Sequence, residues 1–134
     1  MTIKKFIPLF LSGFLFMAMS CKKRSTDTTQ SPLIVIAEPG IGDTIDVSVD
    51  PELHIEFTAS SNKGLHALEV ALVRNNTDTL LHESPAVMDL KAYPYHEHVL
   101  LSATVSVQSY QLYIRAEDHD GASKEELITV YAQP

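Results

Sequence analysis

Residues Leu53 to Ser60 read LHIEFTAS and alternate apolar with polar side chains along most of their length. Successive side chains of an extended chain point to opposite faces, so Leu53, Ile55, Phe57 and Ala59 share one face and His54, Glu56 and Thr58 the other. That period of two predicts a strand with one face buried and one in water.

The same pattern spreads outward from this segment. HALEVALVRN offers Leu68, Val70 and Leu72 inward, SYQLYIRAED offers Tyr110, Leu112, Ile114 and Ala116, and ELITVYA sets Leu127 and Thr129 against Ile128 and Val130. PLIVIAEP, TIDVSV, TLLHES and HEHVLLSATV add further extended segments, and EPGIGD, SSNKG, NNTD and DHDGAS read as loops and turns between them. Strands are expected over 33–37, 44–49, 53–60, 67–74, 79–84, 96–107, 110–117 and 125–132, with room for one short helix around 86–91. Short strands and turn signals at this frequency predict an all-β fold, an immunoglobulin-like antiparallel β-sandwich of about seven strands over residues 32–134. The cysteine pair and tryptophan of antibody domains are absent, so strand count and turn spacing carry the assignment.

Residues 1–20 stand outside that domain. Lys4 and Lys5 precede an apolar run from Phe6 to Met19, and Ser20 leads into Cys21, the layout of a secretory signal whose apolar run is short for a membrane span. Met17-Ala18-Met19-Ser20-Cys21 resembles a bacterial lipobox of the looser Bacteroidetes type, with Ala18 and Met19 where Leu and a small residue are usual. The resemblance implies lipid attachment at Cys21, through a thioether-linked diacylglycerol and palmitate-type acyl chains, and a place in the cell envelope on the periplasmic or surface face of the outer membrane. Several acyl chains, at about 0.8 kcal/mol per buried methylene, make such an anchor permanent. Residues 21–31 are polar and aperiodic, a flexible tether. With one cysteine the chain forms no internal disulfide, and the domain rests on its core alone.

The formal charge is −7, and loss of Lys4 and Lys5 takes it to −9, which argues against nucleic acid as a partner. Lys22, Lys23 and Arg24 lie beside the anchor, where they either meet anionic headgroups or remain solvated. No G-x-S-x-G, P-loop or H-E-x-x-H motif occurs, and Cys21 is committed to lipid, so the expected role is noncatalytic: a binding or assembly module facing an envelope protein or a glycan.

YPYHEHVLL carries the one constellation that suggests chemistry. Two residues apart on a strand, His96 and His98 project from the same face and can converge on one ion. With the strand beginning at His96, the immunoglobulin topology gathers His66, His96, His98 and His119 toward one pole, with Glu97, Asp118 and Asp120 as oxygen donors and zinc or copper as the suited ions. His54 begins its strand and is expected at the opposite pole. Solvated surface histidines are the competing reading. DHDG lacks the ligand spacing of an EF-hand and reads instead as a turn with Gly121 at positive φ. Tyr93 and Tyr95, beside the histidines, are a glycan-stacking pair or, as the expected use of either, core residues.

GLHALEVALVRNNTDTLLHE, LHIEFTAS, YHEHV and EDHDG together resemble a His-bearing immunoglobulin-like family of unknown function found in Bacteroidetes lipoproteins. The match spans most of the chain from Pro32, with Leu53-His54 and Gly64-Leu65 in place and Arg74-Asn75 where related members carry a histidine. It implies the sandwich fold and the envelope location.

Overall fold

The structure, a computed structural model, describes residues 32–102 and 105–134. The signal segment, Cys21 and the tether lie outside the described residues. Within them there are eight strands and no helix: β1 (Leu33–Glu38), β2 (Thr44–Asp46), β3 (Glu52–Ser60), β4 (Leu65–Arg74), β5 (Asp78–Glu83), β6 (Ala92–Leu100), β7 (Gln108–Asp118) and β8 (Ser123–Gln133). No described helix is long and apolar enough to cross a membrane.

The strands form two sheets, one ordered β1-β3-β6 and the other β2-β8-β7-β4-β5. The chain crosses between sheets after β1, β2, β3, β5 and β6, the Greek-key path of an immunoglobulin-like sandwich. β1 runs antiparallel to β3 in the small sheet, whereas β2 runs parallel to β8 in the large one. Alternation explains why the layers close. Leu53, Ile55, Phe57 and Ala59 of β3 are all buried, as are Leu68, Val70 and Leu72 of β4, Leu112 and Ile114 of β7, and Ile128 and Val130 of β8. Each large aliphatic or aromatic side chain so buried contributes about 1.5–3 kcal/mol of transfer free energy.

Turn chemistry agrees with the sequence in two places. Asn75 and Asn76 take positive φ in the three-residue β4–β5 connection, and Thr77 N donates to Arg74 O across it. Gly121 sits at φ 77° in the β7–β8 turn. There the Asp118 carboxylate, almost wholly buried, accepts from Asp120 N and Ala122 N at 3.0 Å each.

Three expectations need correction. The strand expected over 44–49 stops at Asp46, because the Asp46 side chain accepts from Ser48 N and Ser48 Oγ, and Val49 N and Asp50 N both fold back to Asp46 O. The 86–91 segment is not helical but a connection in which Leu90 N bonds to Val87 O. The strand expected over 96–107 lies instead over Ala92–Leu100. Pro94, which argues for a loop in sequence terms, is tolerated because β6 is the outermost strand of the small sheet, with one side free of ladder bonds.

That last shift decides the location of the histidines. Ser60 faces both Leu33 and Ala92, and Leu65 faces Asp118, so one end of the sandwich holds the start of β1, the end of β3 and the β7–β8 turn. Glu52 faces Leu100 at the other end, where Leu101 N bonds to Pro51 O.

Candidate metal centre

In the β3–β6 ladder His54 stands directly opposite His98, with Glu52 opposite Leu100 and Glu56 opposite His96. The inner face of each strand is in the core, so the outer face carries Glu52, His54 and Glu56 from β3 and His96 and His98 from β6. Cross-strand pairing brings directly opposed side chains to about 5 Å at Cβ, close enough for their ring nitrogens to share a ligand.

The side chains converge further. His98 Nδ1 lies 3.2 Å from Glu52 Oε2, and His54 Nε2 lies 3.7 Å from the same oxygen. The His54 and His98 ring centroids are 4.1 Å apart. Ligand atoms of Glu52, His54 and His98 all fall within 4.8 Å of one another, and these three residues form a group that could hold a metal ion. Their opposite ends are also held. His54 Nδ1 lies 3.6 Å from Glu38 Oε2, and His98 Nε2 lies 2.8 Å from His96 Nε2, a hydrogen bond in which one ring donates to the other.

The strand carrying His98 is itself fastened. Tyr95, buried on the inner face of β6, stacks on Phe57 with centroids 4.9 Å apart and donates its hydroxyl to Glu83 Oε2 of β5 at 2.8 Å, tying the edges of the two sheets. Burial first, then the Glu83 carboxylate, drives the Tyr95 phenol well above the ordinary tyrosine range. Tyr93 packs against the core as well, so this pair offers no exposed stacking platform.

The four histidines expected at one pole divide into two pairs. His96 and His98 sit at the Glu52 end. His66 and His119 sit at the other, their ring centroids 5.3 Å apart, with His119 Nε2 2.8 Å from Asp89 Oδ1. Six residues of β3 from His54 to Ser60 separate the two ends by about 20 Å. β3 and β6 do pair antiparallel, but β6 has other limits than the expected strand. With β6 beginning at Ala92, four residues earlier than expected, His98 falls near its end and meets the start of β3. His54, assigned to the opposite pole, therefore belongs to the cluster. Glu52 joins it: two residues before His54, it shares the outward face that the alternation of β3 assigns.

The expected oxygen donors are engaged elsewhere. Asp118 is enclosed by its own turn, with Ser61 Oγ at 3.5 Å as a third contact. Asp120 faces Lys63 Nζ at 3.4 Å. Glu97 lies between His96 and His98 in β6 and so projects from the other face of the strand, opposite Ile55 in the ladder. His82 pairs with Glu69 on the large sheet at 3.0 Å.

Comparison of the chain with protein-family models and with curated proteins finds no match.

Proposed function

We propose that this chain is a noncatalytic, lipid-anchored module of the bacterial cell envelope that binds a zinc or copper ion through Glu52, His54 and His98. The convergence of those three donors on the outer face of β3 and β6 carries the reading. Metal–nitrogen and metal–oxygen bonds of about 2.0–2.2 Å in a tetrahedral site place neighbouring donor atoms roughly 3.3 Å apart. The separations of 3.2 and 3.7 Å around Glu52 Oε2 are already close to that figure. Two imidazoles and one carboxylate suit zinc or copper better than magnesium or calcium, which favour oxygen alone. Glu38 behind His54 and His96 behind His98 would fix the tautomers that leave His54 Nε2 and His98 Nδ1 free to ligate. Attachment through Cys21 rests on the lipobox-like segment, and mass spectrometry of the processed protein tests it by an acyl adduct on that residue.

Titration of metal-free protein with zinc and with copper tests the binding. One equivalent is taken up by the unaltered chain and none by His54→Ala/His98→Ala, while His66→Ala/His119→Ala keeps its site. Loss of binding in the second variant, or its absence from the unaltered chain, overturns the reading.

A second reading is docking of an envelope protein or a glycan on the same outer face. It is favoured by Leu33 and Val35, which stay 57% and 55% exposed on β1 beside the ladder. Crosslinking in intact cells, with and without Val35→Lys, distinguishes it: a partner lost in the variant supports docking, and an unchanged pattern counts against it.

A further inference from the structure

We infer that the Glu52–His54–His98 centre is a transfer site, one that yields its ion to an acceptor by direct ligand exchange rather than storing it. The inference rests on the metal reading above and concerns what becomes of the ion once it is bound. The acceptor it implies is an envelope protein offering a histidine, thiolate or carboxylate donor.

The number of donors is the first reason. Among the described residues the cluster supplies three protein ligands where a closed zinc site supplies four, which leaves a coordination position that those residues do not fill. His96 does not fill it. Its Nε2 contacts His98 Nε2, not the Nδ1 that lies against Glu52, and it does not belong to the converging group.

The second is that no roof covers the centre among the described residues. The side chains of His54, Glu52 and His98 are 41%, 45% and 44% exposed, on an outer sheet face, and β6 is the last strand of its sheet. An incoming donor therefore has a direct approach, and one bond to the ion can form as one to the chain breaks, with no change of oxidation state.

The third is that the donors have polar neighbours of their own. Glu52 lies within 3.2 Å of His98 and 3.7 Å of His54, and Glu38 within 3.6 Å of His54. These groups satisfy one another or water, so emptying the centre strands no buried polar atom. Nor does the fold depend on loading, since β3 and β6 are joined by an unbroken register from Glu52–Leu100 to Ser60–Ala92 and by buried Ile55, Phe57 and Tyr95 beneath it. Storage and structural sites differ on each count, being closed and coupled to folding.

Placement agrees. β1 begins at the end of β3 remote from the cluster, so the described chain enters the sandwich about 20 Å from the centre.

The test is the kinetics of removal. Zinc-loaded full-length protein is mixed with a chromophoric pyridylazo chelator in excess, and the rate of zinc transfer is followed as chelator concentration rises about tenfold. Direct exchange gives a rate that rises in proportion to chelator. A rate that is constant, because the ion must first leave an enclosed site, overturns the inference while leaving the metal reading intact. Failure of the chain to load zinc overturns the metal reading, and this inference with it.

Discussion

His54 and His98 face each other across the β3–β6 ladder with their rings 4.1 Å apart, although 43 residues separate them in the chain. Each presents one nitrogen to Glu52 and the other to a different neighbour, Glu38 for His54 and His96 for His98. The pair is thus oriented from outside as well as joined at its centre.

That arrangement separates the role of His96 from that of His98. On the proposed metal reading His98→Ala removes a ligand and should abolish stoichiometric zinc uptake. His96→Ala removes only the group that holds the His98 ring, and the expected loss of affinity is about 10–100-fold, with one equivalent still bound at saturation. His96→Gln, which keeps a hydrogen-bonding group at that position, should recover part of the loss. Isothermal titration of the three variants checks the order; equal losses at positions 96 and 98 would make His96 a ligand.

Removal of metal should leave the domain folded. The layers are closed by Ile55, Phe57, Val70, Leu72 and Ile114, none of which touches the polar outer face. Chelator should therefore leave the β-sheet circular dichroism unchanged and lower the melting temperature only by the linkage term, about 2.7 kcal/mol when free metal stands at a hundred times its dissociation constant. Collapse of the spectrum on chelation would show that the ion is structural.

The sandwich was legible because alternation in β3, β4, β7 and β8 is strong and each strand buries one face. Even Gly121 and the Asn75-Asn76 turn announced themselves through residues that tolerate positive φ. The site was half legible. His96 and His98 stood out by spacing, but their partners depend on register, and register depends on where β6 begins. Pro94 hid that start, since a proline in an extended run marks a loop unless the strand is known to lie at an edge, a tertiary fact. Asp118 erred in the other direction: a carboxylate in D-x-D-G can face solvent or fold onto its own turn, and composition alone does not choose.

Asp118 offers a control for the site. Its carboxylate accepts two backbone N–H groups and is 1% exposed, so Asp118→Ala leaves those donors without their acceptor and should destabilise the domain by about 1–3 kcal/mol. Zinc affinity should be unchanged, because the residue lies at the His66–His119 end. Urea unfolding and zinc titration of this one variant separate the two ends; a variant that unfolds normally but loses zinc would place the centre there instead.

Tyr95 makes a prediction about alkaline pH. Its phenol is raised by burial first and by Glu83 next, so the folded chain keeps a proton that the unfolded chain gives up at about pH 10. Above that point the unfolded state binds fewer protons than the folded one, and stability falls as pH rises. The contribution is fully present below the unfolded value and is lost progressively toward the higher folded one. Tyr95→Phe keeps the stacking on Phe57 but loses the hydrogen bond to Glu83, which should cost about 1 kcal/mol near neutrality. In return it should flatten the alkaline decline, so that variant and unaltered chain approach each other as pH rises. A remnant of the slope is expected from Tyr113, whose phenol is also raised, by burial first and then by Glu125. Urea midpoints from about pH 8 to 11 give the comparison. Parallel curves for the two proteins across that range would mean that the Tyr95 hydroxyl ionises alike folded and unfolded, and that the β5–β6 clasp does not form in solution.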